Sequence, residues 1–353
     1  MKKVVLAALL TCVVLSPGLS SACFAQAAAP GQVQMSDAEY QAYNGAMTQT
    51  TPQAKAQAIE AYLTAYPQSA VKLATLVTLT QTYSAFDPAK TVDAANRTLQ
   101  LDPTNLPALT YAAAFERQIG DAATDPAAKQ TALDTAAGYA QKGLVAPKPA
   151  TMADADFKTL QNAAMPYFYG AIGADDFAKK DMAGAIVAYK QELASVPVAQ
   201  TQVVPVLQDT YYLAVAYEDS TPADFLNCAF YAARFVDYAP DPFKSQIAPT
   251  AKYCYKQYHG KDDGYDQLAQ LAQANVNPPA NLATTITPAP TMAEIIADVL
   301  KSTPPDQLAT GDKENILQNG TPDQVATVWG SMKGKSYQFP DLLVTASTPS
   351  PTR

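Results

Sequence analysis

The sequence predicts an all-α fold, a stack of antiparallel helical hairpins followed by a small, mostly helical C-terminal region. Three observations carry this. Apolar residues recur at spacings of three and four through more than 200 residues, and no convincing alternation of two occurs before the last twenty. The chain is 48% hydrophobic and only 16% charged, with alanine supplying much of the apolar fraction, the profile of closely packed helices. Pro/Asp/Gly punctuation divides the helical stretches at intervals suited to hairpins.

The first 27 residues read as a secretory signal peptide. Lys2-Lys3 precede an apolar run from Val4 to Leu15, Pro17-Gly18 break it, and Ala25-Gln26-Ala27 form an A-x-A cleavage site. The run is about 12 residues, short of the roughly 20 that cross a bilayer. A minor alternative is a lipoprotein acylated at Cys23, although Leu19 lies four residues before that cysteine and not the usual three. No later segment is long and apolar enough to span, so the expected location is periplasmic or secreted, not transmembrane after cleavage. Losing the leader leaves 22 basic against 32 acidic residues, a net charge of −10. That balance argues against nucleic acid, which calls for a basic stripe, and against docking on anionic lipid.

Residues 28–35 read as a spacer. Ser36-Asp37-Ala38-Glu39 then forms a capping-box pattern that opens the first helix. YPQS at 66–69, LDPTN at 101–105, APKP at 146–149, VPV at 196–198 and YAPD at 238–241 each close a helix. Their key prolines, Pro67, Pro103, Pro147, Pro197 and Pro240, are 36, 44, 50 and 43 residues apart. Proline suits such places because it cannot continue one helix but can start the next.

These units resemble the tetratricopeptide repeat (TPR), whose period is about 34 residues, with loop insertions. Leu99, Leu101, Asp102 and Pro103 match the end of a TPR second helix. Leu109 and Ala113 fall at the large and small packing positions of the next first helix, and Ile119-Gly120-Asp121 at the consensus turn. A second unit runs from Tyr169 and Gly173 through Asp181, Ala185 and Tyr189 to Pro197, and a third holds Leu213, Ala214 and Tyr217. The resemblance covers residues 36–274. The sequence departs from it in lacking Trp there and in placing Glu116 and Asp176 where Tyr is usual. The layout as a whole resembles secreted bacterial proteins of this family, a likeness that brings no activity with it. It implies an α-solenoid whose first helices line a concave face, with Thr110, Arg117, Tyr167, Phe177, Tyr211 and Glu218 on the inner surface, there to contact a protein or peptide.

Residues 275–290, rich in Pro, Thr and Asn, read as a linker. In the C-terminal region, 291–346, helices are expected near 292–300 and 305–318, and Thr321-Pro322-Asp323-Gln324 starts another. Residues 337–346 read as one or two strands and 347–353 as a disordered tail.

The search for chemistry nominates no catalytic, cofactor-binding or metal-binding residue. His259, the only histidine, sits where a helix C-terminus is expected and suits capping of its carbonyls; no nucleophile elbow accompanies it. Cys228, Cys254 and His259 lack the compact ligand pairs of a zinc site. The segment from Asp262 to Asp266 fails as an EF-hand because Gln270 stands where Glu is required; Asp262 or Asp263 reads as the cap of the following helix. Gly334-Lys335-Ser336 lacks the leading glycine of a P-loop, Trp329 standing in its place. No pair of acids is marked by spacing as a glycosidase pair.

The strongest local signal is Cys228 with Cys254. Each lies on an apolar helical stripe about 13 residues from a turn near Pro240, so an antiparallel pair rising about 1.5 Å per residue brings them level. An exported chain permits a disulfide; two buried thiols are the alternative, and a helix starting as late as Pro249 would lengthen the loop. The leading functional expectation is therefore an exported scaffold that binds a protein or peptide partner. An envelope or cell-surface component docking through residues 275–353 is the second reading, and an enzyme acting on glycan or peptide the third.

Overall fold

The computed structural model describes residues 35–337. The signal peptide, nearly all of the spacer, Cys23, the strands expected over 338–346 and the tail at 347–353 lie outside them. All regular structure in the described residues is helical, and they divide into two units, 35–255 with 262–282, and 256–261 with 283–337.

The first unit begins with α1 (Asp37–Met47), α2 (Pro52–Ala65), α3 (Lys72–Tyr83) and α4 (Pro88–Leu101). It continues through α5 (Leu106–Ala122), α6 (Pro126–Leu144), α7 (Asp154–Ala178) and α8 (Met182–Ser195), then a 3-10 turn at Val198–Gln202 and α9 (Val206–Glu218). α10 (Phe225–Tyr238), α11 (Phe243–His259), which crosses into the second unit beyond Tyr255, and α12 (Tyr265–Ala274) follow. All five punctuating prolines fall between helices. One local device starts most of these helices: a short oxygen-bearing side chain accepts the amide three residues on, as Thr51, Asp87, Asn105, Asp125, Asp181 and Asp224 do. Proline occupies the first turn in four of those six cases, where its missing amide costs nothing.

From α1 to α10 consecutive helices pack on one another, α10 packs on α12, and α3, α5, α7 and α9 also touch in series. Alanine makes this possible. Ala95, Ala108 and Ala112 form one buried contact of small residues, and Ala113, Ala136, Ala140, Ala164 and Ala171 interleave with Leu109, Leu160 and Phe168 in another. Small side chains let helix axes approach while large ones fill the holes beside them.

Several local expectations are corrected. Ser36 accepts the Glu39 amide at 3.2 Å, but the Glu39 carboxylate accepts the Tyr62 hydroxyl at 3.1 Å, leaving half a capping box. Ile119-Gly120-Asp121 is not a turn: α5 runs on to Ala122 and the break comes at Asp125, the cap of α6. Pro249 lies inside α11, which starts at Phe243. Neither Asp262 nor Asp263 caps α12; its N-cap is Gly264, in the left-handed region at φ +83°. Glycine adopts that conformation without strain, and the Tyr255 hydroxyl fastens the turn by donating to the Asp263 carbonyl at 2.7 Å.

α13 (Leu282–Thr285) is a single turn within the segment read as linker. The second unit contains α14 (Met292–Ser302), α15 (Thr310–Asn319) and α16 (Pro322–Met332). Both Thr291/Glu294 and Thr321/Gln324 make full capping boxes. Ile296, Leu308, Ile316, Val328 and Met332 form its core. α15 starts at Thr310, five residues later than expected, because the preceding carbonyls have another partner. The buried Lys313 amine donates to Leu308 at 2.7 Å and Asp306 at 3.2 Å. His259 Nδ1 lies 2.6 Å from the Thr287 carbonyl.

Candidate functional site: a cavity over a buried charge cluster

A cavity of about 800 Å3 opens against α5, α7 and α8, closed at one side by the α3–α4 turn and at the other by residues 200–206. This is the size range of small-ligand and side-chain pockets, roughly 300–1,000 Å3. Phe86, Phe115, Pro166, Tyr167, Val203 and Val204 give it apolar walls. Val203 and Val204 are 56% and 67% exposed, large for side chains facing only solvent. Its charged lining residues are Arg117, Asp121 and Glu192.

These three belong to a larger cluster. Arg117 Nη1 donates to Asp209 Oδ2 at 2.7 Å, and Nη2 donates to Oδ1 of the same carboxylate, a fork-on-fork pair. Nε lies 3.5 Å from Asp121, one turn further along α5. The extension of α5 through the expected turn is what puts Asp121 within reach. Burial opposes the charge on Arg117, yet the Asp209 carboxylate holds its pKa well above the ordinary arginine value.

Glu192 is 2% exposed and its Oε2 has no hydrogen-bond partner. Burial, and then the negative charge of Asp209, push its pKa well above the ordinary carboxyl range. The Tyr189 hydroxyl, one turn earlier, is also buried without a partner, and its pKa is raised by burial first and Asp209 second. Burial also raises Asp121 and pushes Tyr167 up to about 12.

α7 makes room for the cluster with one glycine. A Cβ on Gly170 would lie 2.5 Å from Arg117 Nη1 and 2.9 Å from Glu192 Oε1. No larger residue fits without displacing both, a close approach that only glycine allows.

The six groove residues expected from the sequence separate into three groups. Arg117 and Tyr167 line the main cavity. Tyr211 and Glu218 line a shallower recess of about 460 Å3 with Asp219, Pro249 and Tyr253. Thr110 and Phe177 line neither: Thr110 is 2% exposed and donates to the Leu106 carbonyl of its own helix, and the Phe177 ring packs 5.2 Å from that of Tyr212. Thr110 is thus a packing residue, not an inner-surface one.

Cys228 and Cys254 are joined by a disulfide, with a Cα–Cα distance of 5.9 Å. Glu218 lies within 4.8 Å of both sulfurs, but a disulfide presents no thiolate, so the trio is no metal site while the bond is intact.

Sequence reasoning missed Glu192, Asp209 and Asp121. The signal was present for the first two. Glu192 continues the buried stripe Ala185–Ala188–Tyr189, and Asp209 lies on that of Val206, Leu213 and Ala216. An acid on an apolar stripe needs a buried partner, and Arg117, on the stripe of Leu109 and Ala113, is that partner.

No protein-family profile matches the chain, and no curated protein or solved structure matches it significantly.

Proposed function

We propose that this chain is an exported, TPR-like helical-repeat scaffold that holds a protein or peptide partner in the cavity over Arg117 and Glu192. The observation that carries this reading is the cavity itself: α5, α7 and α8 wall it together with the α3–α4 turn and residues 200–206, and its apolar rim surrounds a few fixed polar groups. A binding role fits the cluster better than hydrolysis. Asp209 is held by Arg117 through both oxygens and does not line the cavity, so it is not placed to take a proton from a bound ligand. A disulfide and the absence of any membrane-crossing helix among the described residues accord with export to the periplasm or medium.

The test is site-specific photo-crosslinking in the producing cell. A photoreactive residue at Gln118, in the cavity wall, should capture a discrete partner, whereas one at Val187, 57% exposed on α8, should not. Equal capture from both positions, or none from Gln118, removes the cavity assignment. A second reading, docking through the C-terminal unit as an envelope component, is favoured by one observation: Met292, Ile295 and Trp329 are all exposed there.

A further inference from the structure

We infer that the cavity selects a peptide segment carrying a lysine side chain, whose ammonium pairs with Glu192 and Asp121. The inference rests on the peptide-binding reading above and specifies its chemistry. The cavity wall holds one cation and two acids, and the cation is consumed from behind by a third acid, Asp209. Asp121, which also faces Arg117, leaves one acid in excess on the ligand side. Glu192 adds a second acceptor there: nearly fully buried, in the wall, with Oε2 unpartnered. A buried carboxyl oxygen without a donor is destabilising, and an incoming ammonium supplies the donor. The aliphatic stem of lysine matches the apolar approach past Phe86, Phe115, Val203 and Val204, which shield the acids from water.

A proton balance follows. Glu192 faces Arg117 from α5 and Asp209 from α9, with Tyr189 beside it on α8 and Gly170 packed against it from α7. It shares the cavity lining with Asp121 and Tyr167. None of these offers it an uncommitted positive charge. In the empty cavity burial and Asp209 favour its protonated form; when the ammonium arrives, the Glu192 O–H bond breaks, the proton leaves to solvent and the carboxylate pairs with the ligand. Binding is then tighter at higher pH.

The experiment uses two capped pentapeptides, four valines around a central lysine or a central norleucine, titrated calorimetrically into the mature protein at pH 6.5. Running each in phosphate and in imidazole, which both buffer at this pH and whose ionisation heats differ, counts protons released. The lysine peptide is expected to bind roughly ten- to a hundredfold more tightly than its counterpart, the worth of a charge-assisted hydrogen bond. Its binding should be accompanied by proton release. E192Q, checked for folding by circular dichroism, should reduce the preference to a few-fold and abolish the release. Equal affinity for both peptides, or lysine binding without proton release, overturns the lysine-selective site and leaves the peptide groove standing. Failure of either peptide to bind overturns the site and counts against the groove as well.

Discussion

At the residue scale, the decisive features are charged groups where the helical pattern calls for apolar ones. Arg117, Glu192 and Asp209 come from three different helices and lie up to 92 residues apart. Periodicity places each on a buried stripe, but which acid meets which base depends on how three helices stack, and no local rule supplies that. Glu192 leaves a measurable trace. Its folded-state pKa is raised above the ordinary 4.5 by burial and by Asp209. Above pH 4.5 the native chain therefore holds a proton that the unfolded chain has lost. Stability attributable to this group falls as pH rises, by about 1.4 kcal/mol per unit, until the folded pKa is passed. E192Q cannot titrate and should lose that slope. Urea unfolding of both proteins from pH 4.5 to 7.5 tests it, and stability curves that stay parallel across the range would show that Glu192 is not the buried acid described.

At the scale of elements, helix starts were the most legible feature because they rest on local chemistry. A capping oxygen three residues ahead of its amide, often with proline just after it, is visible in the sequence, and Thr321-Pro322 behaves as read. Helix ends were less legible. Gly120 is compatible with a stop, yet α5 continues because its last turn packs on Leu133 of α6, a contact that tertiary structure supplies. The disulfide was legible through stripe and spacing together, and it has a specific job. In α11 only Ala251, Cys254 and Tyr255 are buried, and Phe243 and Tyr253 are more than 45% exposed. So little apolar burial makes the covalent link to α10 the main restraint on residues 243–255. Closing a loop across 26 residues stabilises by about 3 kcal/mol in the chain-entropy account. Reduction, or the double change C228A/C254A, should speed amide exchange across 243–255 while α3 to α8 remain protected. Uniform acceleration over the whole first unit would mean that the bond supports global stability and not this helix alone.

At the scale of the whole molecule, the two units have cores that share no residue: the Ile296 cluster is confined to the second, and the alanine-rich clusters to the first. The all-α class was legible from periodicity and composition. The arrangement of helices around the cavity was not, because irregular segments such as residues 197–205 help to form its wall and follow no helical period. The helices of the first unit from α1 to α10 pack in chain order on one another, so that unit should not depend on the second for its fold or its cavity. A chain ending at residue 282 is expected to keep the helical signal of the first unit and the Gln118 crosslink. The opposite result has a definite meaning. If the shortened chain stays helical but loses its partner, Met292, Ile295 and Trp329 become the docking surface, and the scaffold reading passes from the cavity to the C-terminal unit.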